Sequence, residues 1–84
     1  MDREDFLFAL REQYAEEIHE AYLQCAHENG KVVDFPKLNQ ILGKMMKTAK
    51  VDGLPHDEFS ELVKTTLPAV AGKVQLGAPA KKAA

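Results

Sequence analysis

Most of what chemistry would require is scarce in this sequence, and each scarcity removes a class of function. A single cysteine, Cys25, rules out an intrachain disulfide, which makes the cytoplasm the expected compartment. No apolar run approaches the ~20 residues of a membrane span. The chain opens on Asp2, Arg3, Glu4 and Asp5 instead of an apolar secretory segment. Its five glycines are dispersed, and neither GxGxxG nor GxxxxGK(S/T) occurs among them, so no phosphate cradle is expected. His27 and His56 flank turns with no nucleophile and acid at a recognisable spacing, which leaves a catalytic triad unsupported. Aromatic residues do not interleave with basic ones as they do on RNA-binding surfaces. The expectation is a protein that is not an enzyme and needs no cofactor.

What the sequence does contain is helical periodicity. With Phe6 as origin and 100° per residue, Leu7, Leu10, Tyr14, Ile18, Ala21, Tyr22 and Cys25 fall within an arc of about 120°, the width of a core-facing stripe. One long helix is therefore predicted over residues 2–28. Asp2 is its expected N-cap, Glu4 and Asp5 suit its positive end, and Asn29-Gly30 is the expected stop. Such a helix is roughly 40 Å long, longer than the ~30 Å diameter of a small domain. Cys25 lies on the stripe and reads as a small buried hydrophobe.

Two shorter helices follow. Asp34 or Phe35 caps the second, with Pro36 in its first turn, where a missing N–H costs nothing. Over residues 36–50, Leu38, Ile41, Leu42, Met45 and Ala49 share one face, opposite Lys37, Gln40, Lys44 and Lys47. Gly43 marks either a close helix approach or simple tolerance. Val51 to Leu54 is a predicted turn, and Pro55 opens a third helix over 55–67 with Phe59, Leu62, Val63 and Thr66 on one side. Leu67-Pro68 ends or bends it. Residues 68–76 are apolar enough to dock, with one further short helical turn as an option. The expected fold is an all-α, three-helix domain over 1–76 without a sheet, its neighbours near-antiparallel, followed by a disordered Lys/Ala tail over 77–84. At 84 residues the core is marginal unless packing is good or a second subunit adds surface.

A net charge of −2 conceals segregation along the chain. Residues 2–28 carry eight acids against Arg3 and Arg11, whereas residues 29–50 carry five lysines against Asp34. Residues 51–66 are acidic again and the tail is basic. Helices of opposite charge attract each other across a hairpin, although exposed pairs contribute only about 0–1 kcal/mol each.

Two apolar residues fall off the first helix's stripe. Phe8 and Leu23 need a cover, which either the 68–76 segment or another chain supplies. They are the candidate partner contacts, with Glu12, Glu16 and Glu20 as an acidic rim. The leading expectation is thus a non-catalytic interaction or assembly module that binds another protein or a second copy of itself. A DNA-binding helix-turn-helix through 36–50 and 55–67, with Lys44, Lys47 and Lys50 on phosphates, is the alternative. Against it, the recognition helix would open with His56-Asp57-Glu58, presenting carboxylates to phosphate. Glu16 and His19 have the Glu-x-x-His spacing of di-metal bundles, but they lie off the stripe and no second copy of the motif exists.

The stretch Asn29 to Leu38 resembles the end of an EF-hand loop, and Asp52-Gly53-Leu54 with Asp57-Glu58-Phe59 is a fainter echo. With Gly30 at the sixth loop position, Cys25, His27 and Asn29 occupy the first three ligand places, Val32 the apolar place and Pro36 the last. With Gly53 there, Thr48, Lys50 and Asp52 stand first and Phe59 last, with Glu58 one place short. Calcium requires a cage of hard oxygens with a bidentate Glu at the end. Neither loop supplies one, so the resemblance implies a degenerate hand without calcium. Residues Ala49 to Glu58 are also similar to bacterial TerB-like helical domains. Either resemblance implies a helix–loop–helix scaffold used for binding, without catalysis.

Overall fold

Stretches with 3.6-residue periodicity become helices, and the stops between them are set by backbone chemistry. The computed structural model describes residues 2–74; the tail expected over 77–84 lies outside them. The elements in order are α1 (Arg3–Cys25), the strands β1 (Ala26–His27) and β2 (Val32–Val33), α2 (Phe35–Asp52), α3 (His56–Thr66) and a 3-10 turn at Ala71–Lys73. The fold is all-α, with a long first helix and two shorter ones.

α1 is shorter than expected at its C-terminal end. Asn29-Gly30 is not a helix stop but the apex of a hairpin, in which β1 pairs antiparallel with β2 through Ala26 opposite Val33 and His27 opposite Val32. Glu28, Asn29 and Gly30 all have positive φ, at 53°, 60° and 86°. Positive φ at both central residues is the type I′ pattern, whose twist matches that of paired strands. The Gly30 N–H donates to the His27 carbonyl at 3.0 Å and closes the turn. The Asp34 N–H then donates to the Cys25 carbonyl at 2.9 Å, pinning the start of α2 beside the end of α1. The expected absence of strands is corrected by this ribbon, which is too short for alternation to reveal.

α2 starts on Asp34, whose carboxylate accepts the Lys37 N–H at 3.1 Å. It stops at Gly53, where φ is 115°. The Gly53 N–H bonds back into the last turn and the Leu54 N–H reaches the Ala49 carbonyl at 2.8 Å, the six-to-one closure of a Schellman end. Leu54 thereby plugs into the core with no exposure. α3 is capped by Pro55 and ends at Leu67, as the Leu-Pro pair predicts.

The three helices share one core. Leu10, Tyr14, Ile18, Ala21 and Cys25 of α1 meet Leu38, Leu42 and Ala49 of α2 and Phe59 and Val63 of α3, with Leu54, Leu67 and Val70 closing the ends. Because α1 ends where α2 begins and Tyr14 bonds Asp52 at the far end of α2, these two helices run antiparallel. α3 starts beside Arg11 and ends beside Tyr22, so it runs parallel to α1 and antiparallel to α2, and the expected near-antiparallel packing does not extend to α1 and α3. Phe6, the origin from which the stripe's angles are counted, is 43 % exposed; its ring lies over Gly53, at the edge of the core. Gly43 is not a close approach, since a Cβ built there meets nothing within 4 Å.

Candidate functional site

The polar groups that reach across the core define which surfaces remain free. The Tyr14 hydroxyl donates to Asp52 Oδ2 at 2.5 Å, while its ring meets Phe59 edge to face at 6.2 Å. One residue thus ties α1 to both other helices. Burial, and then the hydrogen bond to Asp52 and that residue's negative charge, push the Tyr14 hydroxyl up to about 12. The Cys25 thiol is fully buried in the core, and that burial pushes its pKa up, which disfavours the thiolate. On the α3 side, Arg11 Nη1 pairs with Glu58 Oε1 at 2.9 Å.

Phe8 stands next to that ion pair. It is 58 % exposed and forms one wall of an open groove of about 400 Å³ between α1 and α3, whose apolar lining includes Ala15 and Leu62 and whose rim carries Glu12, Glu58 and Glu61. The groove lies outside the line on which α1 and α3 meet: Tyr14 and Phe59 are in contact in the buried core, while Phe8 and Leu62 line the groove at its margin.

The sequence-selected contacts distribute as follows. Phe8 and Glu12 come together in the α1–α3 groove. Glu16 is exposed on the outer face of α1, and Leu23 is 54 % exposed near its end. Glu20 lines a smaller groove, of about 230 Å³, between α1 and α2, with Ile41 and Met45. Phe8 and Leu23 are therefore ends of one outer ridge, about 22 Å apart at 1.5 Å per residue, and do not form a single patch. Residues 68–74 cover neither of them: Leu67 to Val70 border a hollow with His19 and Tyr22 instead, and Lys73 sits 5.8 Å over the Phe35 ring.

Lys44, Lys47 and Lys50 are exposed on α2, as phosphate binding would require. Glu58, on the first turn of the would-be recognition helix, is held by Arg11. Glu16 and His19 are both exposed, and among the described residues no group of three or more His, Cys, Asp or Glu side chains could hold a metal ion. No helix among the described residues is long and apolar enough to cross a membrane. Two features went unread in the sequence: the groove, which needs α3 placed beside α1, and the Val51 side chain, 86 % exposed at the end of the lysine face. Comparison with protein-family models, with curated proteins and with solved structures finds no match for this chain.

Proposed function

We propose that this chain is a non-catalytic protein-interaction module whose binding surface is the outer ridge of α1 with the adjoining α1–α3 groove. The observation that carries the reading is the exposure of Phe8 and Leu23, at 58 % and 54 %, on a helix whose inner face is already packed. With each side chain already about half covered, a partner that completes the burial gains roughly half of the ~1.5–3 kcal/mol of full burial per residue, before the costs of association. The acids around them set orientation and select a basic partner more than they add affinity. Aromatic anchors beside a pocket are the residues that dominate such interfaces.

The test is capture from an extract of the native cell on immobilised wild-type chain, beside a Phe8→Ser/Leu23→Ser variant. Both sites are exposed, so the variant should melt as the wild type does. A protein retained by the wild type and lost by the variant supports the ridge as the binding surface. Equal retention by both would refute it.

A further inference from the structure

The outer faces of α1 and α2 carry ridges of matching length and opposite charge, with Glu12 and Glu16 on the first and Lys37, Lys44 and Lys47 on the second. On α2, Lys37, Gln40, Lys44, Lys47 and Val51 recur at intervals of three and four residues, and all five are exposed. On α1, Phe8, Glu12, Glu16, His19 and Leu23 recur at three and four residues, and all are exposed. Both ridges are on the side of their helix away from the core, where Leu42 and Ala49 or Tyr14 and Ile18 are buried. At 1.5 Å per residue the two run for about 21 and about 22 Å. Among the described residues, none of Glu12, Glu16, Lys37, Lys44 and Lys47 has an ion-pair partner.

We infer that a second copy of this chain occupies the acidic ridge of α1, laying the lysine ridge of its own α2 along it. This rests on the reading of the α1 ridge as an interaction surface. The intervals of three and four residues are those at which two helices interlock at a shallow crossing angle. Laid antiparallel, Lys47 and Lys44 of one ridge face Glu12 and Glu16 of the other, Val51 meets Phe8, and Leu23 meets the stem of Lys37. Within one molecule the two ridges point away from each other, so the pairing they are shaped for is between copies. The contact is heterologous: each copy offers α1 to one neighbour and α2 to another, giving rings or open chains. Duplex DNA also answers a lysine row, but it leaves the matching acidic ridge, and the acids opening α3, facing like charge. With few apolar groups and many exposed charges, the association is reversible and sensitive to salt.

The full chain is tested by sedimentation velocity across a wide concentration range, at about 0.05 M and about 0.5 M salt, where screening lengths differ severalfold. The wild type should associate at low salt, beyond a dimer as concentration rises, and about tenfold or more weakly at high salt. Two charge-reversed variants, Glu12→Lys/Glu16→Lys and Lys44→Glu/Lys47→Glu, should each be monomeric, because both of their ridges then carry one sign. Mixed in equal amounts they should associate again, since each supplies the ridge the other lacks. Circular dichroism melts of both variants verify that they fold. A wild type that stays monomeric throughout, a mixture that fails to associate, or association surviving in either variant alone overturns the inference. So does a monomeric wild type that binds duplex DNA through Lys44 and Lys47. A chain that captures another protein through Phe8 and Leu23 yet never self-associates would sink this inference and leave the proposed function standing.

Discussion

Tyr14 is the residue at which packing and polarity meet. Tyr14 is buried in the core with its ring edge to face against Phe59, while its hydroxyl reaches the exposed Asp52 carboxylate. Replacing it in Tyr14→Phe keeps the ring and removes one hydrogen bond to a charged acceptor. Asp52 remains hydrated, so the cost should be about 1 kcal/mol, toward the low end for such bonds. That difference depends on pH in a stated direction. The folded state holds the hydroxyl proton up to about 12, against 10.0 for an unperturbed tyrosine. Stability contributed by a raised pKa is fully present below the unfolded value and is lost as pH rises through the folded one. Urea titrations should therefore show the wild type ahead of Tyr14→Phe by a constant margin up to pH 10, then a margin that shrinks between pH 10 and 12. A margin that grows across that window would mean that folding lowers the hydroxyl's pKa instead of raising it, and would overturn its pairing with the Asp52 carboxylate. The role of Asp52, 38 residues away, was not legible in the sequence, because no local pattern marks a carboxylate at a helix end as the partner of a particular tyrosine. Tyr14's place in the core was legible from its angle alone.

At the scale of elements, two glycines, one inside α2 and one at its C-terminal cap, separate propensity from geometry. Gly43 lies inside the helix with open space where a Cβ would stand. Gly43→Ala should therefore stabilise by about 0.5–1 kcal/mol, through helix propensity and a less flexible unfolded chain. Gly53 has φ 115° and a Cβ there would come within 3.2 Å of the Phe6 ring. Gly53→Ala should destabilise by about 1 kcal/mol or more, from backbone strain and displacement of that ring. Thermal melts of the two variants should move in opposite directions. Equal shifts would mean the Schellman end at Leu54 does not hold α2 in place. The sequence made the three helices legible because long amphipathic periods survive any tertiary context. It missed the hairpin because two-residue strands contain no period, and because Asn29-Gly30 serves a helix stop and the left-handed apex of a hairpin loop equally well. Leu54 was read as a turn residue; its burial is decided by where the turn sits on the core, which local chemistry does not encode.

At the scale of the whole molecule, the same residue type plays opposite parts depending on which side of α1 it meets. Phe59 is fully buried at the junction of the helices, whereas Phe8 is 58 % exposed on the ridge. Both were legible as apolar positions, and the angle around α1 set Phe8 apart; the groove beside it appears only once α3 is laid along α1. A chain of this size has a net stability of about 4–13 kcal/mol at roughly 0.05–0.15 kcal/mol per residue. Deleting a buried phenylalanine side chain costs about 3–5 kcal/mol, for lost transfer energy and the cavity left behind. Phe59→Ala thus removes a large share of the total and should either broaden the unfolding transition or lower its midpoint by about 10 °C or more. Phe8→Ala removes an exposed ring and should stay within about 0.5 kcal/mol of the wild type. Calorimetry of the two variants at one low concentration, where copies are apart, reads this contrast directly. If Phe8→Ala proved as costly as Phe59→Ala under those conditions, Phe8 would belong to the core of the monomer, and the ridge assigned to partners would be part of the fold itself.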